Sequence, residues 1–320
     1  MNHSFGLKAR RAKDLLQWSV EELRGCNVET SRLDAEVLLA HALKRDRLQL
    51  YLTLEEEVDA ESESYYRTLI RKRSNLMPVS YLTGHKEFMS LDFVVNENVL
   101  IPRPETEVLV ETVCRLGKAG SRVLELGTGS GAIAVSLASC NPDWRILATD
   151  LSMDALLIAK ENARRHGVMD RVSFLQADLL SALSLPSSLR GRMPPYSPFA
   201  QAFPKLDSAT RELHSEFDWV VSNPPYIPAR NLASLPVGIR KYEPMLALDG
   251  GTDGLDVIRR IIEEAHTLLK TGGRLAIEIG YGQSEDVQKI ADRTGKYMGC
   301  FIVEDYSGIP RVFHCCQRRG

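Results

Sequence analysis

The string Ser222-Asn223-Pro224-Pro225-Tyr226 concentrates the most chemistry in this chain. A planar nitrogen, in a carboxamide or an aromatic amine, is a weak nucleophile because its lone pair is delocalised. One acceptor on each N–H holds such a nitrogen and biases it toward tetrahedral character. The Asn223 side-chain oxygen and the Pro224 carbonyl suit that task. The lone pair then faces an electrophile, and displacement runs in line. Positioning and charge complementarity do most of the work. Pro224 and Pro225 stiffen the loop, and Tyr226 can pack on the planar face of the reacting group. Taken by itself, the same string is a rigid turn with a surface tyrosine. Its place after an apolar run, Trp219-Val220-Val221, and downstream of a glycine-rich turn is what favours chemistry.

That turn is Gly127-Thr128-Gly129-Ser130-Gly131, reached from the apolar run Val123-Leu124-Glu125-Leu126. Glycines there let backbone N–H groups approach a ligand and let strand and helix pack closely. A dinucleotide site prefers its third glycine three residues after the second, but Ala132 stands there, so a nicotinamide enzyme is disfavoured. A second strand ends at Asp150, whose carboxylate can accept from a ribose diol. A third ends at Asp178, which can accept from the exocyclic amine of adenine. Leu151 and Leu179 would supply apolar contact to the ring. Singly, each acid could be a helix cap. Three successive strand ends carrying a glycine loop, an acid and an acid form one site.

The elements that must position these residues follow from periodicity. From 8 to 77 the pattern is helical: Leu15, Leu16, Val20 and Leu23 form one stripe, Leu33, Val37, Leu38, Ala42 and Leu43 a second, and Tyr65, Leu69 and Ile70 a third. Ser31 reads as the N-cap of the second helix, with Asp34 three residues on. This predicts a small helical bundle over 1–77. Pro78 to Gly84 breaks the helical period, and Phe88 to Val95 reads as a strand or hairpin. Segment 78–104 is taken as a linker ending in the stiff Pro102-Arg103-Pro104. Over 105–320 strands alternate with helices: strands at 122–126, 145–149, 172–175, 218–221 and 274–279, and near Phe301 and Val312. Helices fall at 132–139, 154–166, 254–269 and 284–294. Such β-α-β units imply a parallel sheet with helices on both faces. Residues 183–216, rich in Ser, Pro and Arg, interrupt the pattern and read as a disordered insertion.

Composition narrows the partners. The formal charge of -2 gives no basic surplus for gripping nucleic-acid backbone. The six cysteines lack zinc spacing, so no metal is expected. No stretch nears the roughly 18 apolar residues of a membrane helix. The N-terminus lacks a signal-peptide core, which predicts a cytoplasmic protein. Nothing requires more than a monomer.

The E-x-G-x-G-x-G pattern from Glu125 to Gly131, with acids after strands two and three, resembles the class I S-adenosylmethionine methyltransferases. That resemblance implies a Rossmann-like seven-stranded α/β sheet, with S-adenosylmethionine as donor and S-adenosylhomocysteine as product. It makes Glu125 the acid ahead of the glycines; Asn223, at the end of strand four, borders the cofactor. Asn-Pro-Pro-Tyr occurs in enzymes acting on adenine N6 and in those acting on glutamine amides. The wider pattern resembles the release-factor glutamine methyltransferases (HemK/PrmC family). It comprises Pro78-Val79-Ser80-Tyr81-Leu82-Thr83-Gly84, Phe88 and Val99 through Glu107. It continues with Asn223 through Pro228, Tyr242-Glu243-Pro244, Leu246 through Gly251, and Gly254-Leu255-Asp256. Only 183–216 departs from it. The resemblance implies methylation of glutamine N5 in the Gly-Gly-Gln loop of class I release factors, with the helical domain docking that substrate. It also puts Arg103 and Glu105 near the mouth of the glutamine pocket, although both could equally form a salt bridge in the linker. An adenine-N6 methyltransferase and a non-catalytic cofactor-binding protein are the alternatives. The linker match and the intact Asn223 loop weigh against them.

Overall fold

The computed structural model describes residues 10–180 and 217–318. The segment read as an insertion, 183–216, lies outside the described residues. Two compact units are present. One reaches to His85 and takes in Pro236–Tyr242; the other holds Lys86–Leu235 and everything from Glu243 onward.

The first unit is helical: α1 (Ala12–Gly25), α2 (Ser31–Ala42), α3 (Arg47–Leu52), α4 (Ala60–Ser74) and α5 (Val79–Thr83). Leu15, Leu16, Val20 and Leu23 of α1 are buried, as their spacing predicts. The second stripe holds at Leu38 and Ala42, with Leu43 packed against the core, but Leu33 is exposed and Ala35 and Leu39 are buried beside them. Nor does Ser31 cap α2. Thr30 is the N-cap residue, and Asp34 accepts from Thr30 Oγ1 (3.0 Å) and Arg73 Nε (2.7 Å). The acid that a capping box would have used is spent on an ion pair with α4. In the third stripe Tyr65 is exposed and Tyr66 is buried instead. The break expected at Pro78–Gly84 is itself the helix α5, opened by Pro78 and closed by Gly84 at φ 78°. The short α3 has no periodic signal. It is held because Asp46 caps the Gln49 N–H (2.7 Å), while Arg47 and Tyr51 donate to Glu36 of α2. Burial alone would raise the Glu36 carboxyl, but the donors Tyr51, Arg47 and Arg32 hold it below the usual range.

Tyr66 ties three of these helices. Its hydroxyl has two acceptors in reach, Ser19 Oγ and the Ala35 carbonyl at 3.1 Å. Tyr66→Phe keeps the ring and strands these acceptors. It is expected to cost about 1–2 kcal/mol in denaturant unfolding. An unchanged midpoint would show that the bonds contribute nothing net.

A hairpin, β1 (His85–Phe88) and β2 (Leu91–Val94), lies at the start of the second unit, which begins at Lys86. Its turn residues Met89 and Ser90 both have positive φ, 50° and 59°. That is the turn a two-residue hairpin demands, built here without glycine. Glu107 compensates by accepting from the Met89 N–H at 2.7 Å. Seven strands follow: β3 (Arg122–Leu126), β4 (Arg145–Asp150), β5 (Val172–Gln176), β6 (Phe217–Ser222), β7 (Leu269–Glu278), β8 (Tyr297–Glu304) and β9 (Pro310–Gln317). They form one sheet in the order β5-β4-β3-β6-β7-β9-β8. Only the pairs made by β9 are antiparallel. The helices Glu107–Leu116, Ala132–Cys140, Met153–Arg165, Asp256–Ala265 and Ser284–Thr294 accompany it. This is the Rossmann-like α/β fold with seven strands. The expected helix 254–269 is shorter, because Leu269 already pairs with Phe217 and so opens β7. No helix among the described residues is long and apolar enough to cross a membrane.

The order reverses between β3 and β6, which lie side by side although far apart in sequence. Their register pairs Leu126 with Ser222. The next residue on each strand is therefore Gly127 and Asn223. Ligands of open α/β sheets gather at this switch point, beyond the carboxyl ends of the strands.

Candidate active site

The glycine turn is shaped by its backbone. Gly127, Gly129 and Gly131 take φ of 72°, 55° and 81°, a region costly for residues with a Cβ. A Cβ on Gly131 would also press on the Ala159 backbone at 3.1 Å. The turn is bonded on each side. Thr128 N–H donates to the Thr149 carbonyl (2.9 Å) and Gly129 N–H to Asp150 Oδ2 (2.8 Å). The other Asp150 oxygen accepts from Ser152 N–H at 2.9 Å. Asn162, fully buried on Met153–Arg165, donates to the Ser130 carbonyl (2.8 Å) and bonds both backbone groups of Val94. One side chain thus joins the hairpin to the loop.

Beneath the loop lies Glu125, with no exposure at all. Its Oε2 accepts from Thr128 Oγ1 at 2.7 Å, whereas Oε1 has no partner. Burial pushes its carboxyl up to about 8, and the neighbouring Asp150 charge adds to the rise. Burial raises the Asp150 carboxyl as well.

A cavity of about 480 Å³ opens at these strand ends. It is lined by Gly127, Thr128, Gly129, Ser130, Asp150, Leu151, Asp178 and Leu179, and also by Asn223, Pro225 and Arg103. The sequence-derived residues Glu125, Gly131, Pro224, Tyr226 and Glu105 do not line it. Glu125 and Gly131 shape the loop from below. Pro224 is buried. Tyr226 is partly buried against the core and donates its hydroxyl to Glu278 Oε1 at 3.2 Å. Glu105 stands close enough to Glu278 and Arg311 to influence both charges. Arg103 is paired, but with Glu243 (2.6 Å) rather than with Glu105, and the second Glu243 oxygen accepts from Ile101 N–H.

The loop after β6 is clamped along its length. Ile227 exchanges backbone bonds with Leu248 and Gly250, and Gln283 Nε2 donates to the Tyr226 and Gly254 carbonyls. A Cβ on Gly250 would sit 2.8 Å from Tyr226 Cα, so this approach needs glycine. Asn223 Nδ2 donates to Thr106 Oγ1 at 3.1 Å. Three residues of this machinery, Asn162, Glu278 and Gln283, carry no motif signal of their own. They sit at ordinary helix, strand and loop positions and are recruited by tertiary approach.

S-adenosylmethionine fits what the cavity offers. It carries two positive groups, and the lining holds the acids Glu97, Asp150 and Asp178, the last paired with Arg260 at 3.3 Å on the same wall. A Cβ on Gly127 or Gly129 would touch no protein atom within 4 Å, so the loop leaves that space to a ligand. The orphaned Glu125 oxygen is an unspent acceptor beneath it. Among the described residues no group of three or more His, Cys, Asp or Glu could hold a metal ion.

The chain matches two family models, the PrmC N-terminal domain over residues 14–84 and a methyltransferase domain over 123–190. The release factor glutamine methyltransferase of Moorella thermoacetica is 43% identical over 302 residues, covering 94% of this chain and 96% of that protein. The chain belongs to the release factor glutamine methyltransferase family. The member from Geobacter sulfurreducens is 38% identical, with 94% of each chain covered. Among solved structures, the release-factor-specific protein-(glutamine-N5) methyltransferase of Alicyclobacillus acidocaldarius aligns at 27% identity and TM-score 0.37. That alignment covers 71% of this chain and 100% of that one. Membership in this methyltransferase family implies S-adenosylmethionine use.

Proposed function

We propose that this chain transfers a methyl group from S-adenosylmethionine to the side-chain nitrogen N5 of the glutamine in the Gly-Gly-Gln loop of class I peptide chain release factors. The observation that carries this reading is the placement of Asn223 beside Gly127, at the ends of the adjacent strands β6 and β3, on one cavity. An acceptor for an amide N–H and a cradle for a charged donor then share a wall.

When bound, the donor supplies a methyl group already activated by a sulfonium. The protein's task is positioning. The turn 127–131 would take the donor's amino-acid part, with Asp150 supplying negative charge and Glu125 packed beneath the turn. Asp150 would accept from the ribose diol and Asp178 from the adenine amine, and Leu151 and Leu179 would give the ring apolar contact. Asn223 Oδ1 and the Pro224 carbonyl hold the two hydrogens of the glutamine NH2, so that its lone pair faces the methyl. Pro225 and Tyr226 stiffen and back that loop. Arg103, steadied by Glu243, and Glu105 stand at the substrate's approach. The helical first unit docks the release factor. A reaction of this kind asks for no metal and fits a monomer working in the cytoplasm, where translation ends.

The test is a transfer assay with radiolabelled S-adenosylmethionine. Purified release factor should take label, and a variant with its Gly-Gly-Gln glutamine replaced should not. Label in DNA or RNA alone would overturn the reading in favour of adenine N6.

A further inference from the structure

Two arginines stand side by side on Asp256–Ala265, and they face different ways. Arg259 pairs with Asp253 (2.8 Å) and Asp256 (2.9 Å) around the start of its own helix. Arg260, turned about 100° further round the helix, reaches across to the end of β5. Its Nη1 and Nη2 lie 3.3 Å from Oδ1 and Oδ2 of Asp178, one nitrogen to each oxygen. Both partners line the cavity, as does Val257, one turn before Arg260 on the same face of the helix. An ion pair between two half-exposed groups contributes little to stability, so the bridge calls for another reason. The backbone beside it supplies one. Leu179, which also lines the cavity, has φ 48°, a costly conformation for a residue with a Cβ. The turn is pinned before and after: Ala177 N–H donates to the Asp150 carbonyl at 2.9 Å, and Leu180 is fully buried. Asp178 projects between these pins, and among the described residues Arg260 is the partner of its carboxylate. A fork that takes both oxygens fixes the plane of the carboxylate as well as its place. Each oxygen has two lone pairs, so both keep acceptor capacity beside the fork.

We infer that Arg260 is a positioning residue for base recognition: by holding both oxygens of Asp178 it keeps an acceptor aimed at the exocyclic amine of the donor's adenine. This deepens the cofactor placement proposed above and rests on it. Arg260 need not touch the base. It acts through Asp178, and what it confers is discrimination. An amine donates to a fixed carboxylate, whereas a base with an oxygen at that place sets acceptor against acceptor and is turned away. A carboxylate free to swing into solvent would reject the wrong base less and hold the right one less. In the proposed placement the methyl lies by Asn223, so the effect falls on binding and not on turnover at saturating donor.

The experiment measures calorimetric affinity for two compounds, S-adenosylhomocysteine and S-inosylhomocysteine, whose base carries an oxygen in place of the amine. The proteins are wild type, Arg260→Met, Asp178→Asn and the double variant. Wild type should prefer the amine by at least about 10-fold, the worth of a hydrogen bond to a charged group. Arg260→Met keeps an apolar stem on the cavity wall and removes the fork. It should reduce that preference about 3- to 5-fold, the scale of an exposed ion pair. In the Asp178→Asn background the same substitution should change it by less than about 1.5-fold, because the residue through which Arg260 acts is gone. A purely structural ion pair would lower the unfolding midpoint and leave the preference alone. Wild type that binds neither compound refutes the cofactor reading, and this inference falls with it. Wild type that binds both alike takes Asp178 away from the amine and overturns the inference with the cofactor reading intact. A wild-type preference that persists in Arg260→Met overturns the inference alone, as does a loss of equal size in the Asp178→Asn background. Should Arg260→Met not fold, Arg260→Gln removes the same charge and is read in the same way.

Discussion

Asn223→Ala is expected to lower kcat for methyl transfer on the order of 10³-fold, with cofactor affinity nearly unchanged. The magnitude follows from removing one preorganised contact to the reacting group, which costs roughly 10²- to 10³-fold in comparable sites. The upper end applies because the variant loses orientation as well as charge. With Asn223 Oδ1 gone, the Pro224 carbonyl alone cannot fix the direction of the glutamine lone pair. Cofactor affinity should survive because most of the cavity wall belongs to other residues: the 127–130 turn, Asp150, Leu151, Asp178 and Leu179. The fold should survive too. Asn223 makes one side-chain bond, to Thr106, and the loop is held independently by Ile227, Gln283 and Gly250. The measurements are single-turnover transfer to the release factor and calorimetric binding of the cofactor product. Near-normal turnover would remove Asn223 from the mechanism. Equal losses in turnover and binding would recast it as a cofactor ligand.

How far the sequence reached depended on whether a feature is local. Strand runs such as 122–126 and 218–221 are continuous and apolar, bounded by turns, and their ends are legible to within a residue or two. The residues that end them, Gly127, Asp150, Asp178 and Asn223, come with the strands, so their convergence on one cavity was legible as well. Phase errors appeared where two apolar neighbours compete for the core. Tyr66 is inside and Tyr65 outside because only residue 66 can reach both Ser19 and Ala35. Asp34 sits where a capping box wants an acid and is an ion-pair partner instead, because Arg73, 39 residues later, approaches it. Val79–Thr83 was read as a break because Pro78 and Gly84 frame it. Those same residues are the start and stop of a one-turn helix. Supporting residues were not legible at all. Glu278 reads as the last residue of a strand, and Asn162 as one polar position on an amphipathic helix. Their partners, the Tyr226 hydroxyl and the Ser130 carbonyl, are set by tertiary contact and by nothing in the sequence next to Glu278 or Asn162.

Glu125→Gln is expected to stabilise the protein at neutral pH, by an amount that grows with pH. Glu125 is fully buried, and its carboxyl titrates near 8 in the fold against an ordinary value of 4.5. The sign follows from proton counting. Below about 4.5 the group is protonated in both states and costs nothing. Between about 4.5 and about 8 the folded state keeps a proton that the unfolded state has released, so rising pH favours unfolding. Above about 8 both states are ionised and the loss is complete. The slope inside that window is about 1.4 kcal/mol per pH unit, which accumulates to on the order of 5 kcal/mol. Glutamine has nearly the same shape, cannot ionise, and keeps an oxygen to accept from Thr128, so the loop above it retains its bond. Denaturant unfolding of both proteins from pH 5 to pH 8 isolates the effect, since Glu278, pushed up to about 7, contributes equally to each. The difference in unfolding free energy should widen steadily toward pH 8. A constant difference would mean that Glu125 is ionised throughout, with the orphaned Oε1 solvated or paired in solution. The trade explains why such an acid is tolerated: a carboxyl kept under strain beneath the glycine turn is a reserve of negative charge for a cationic donor. A glutamine there would leave the fold firmer and the cradle with Asp150 as its remaining nearby acid.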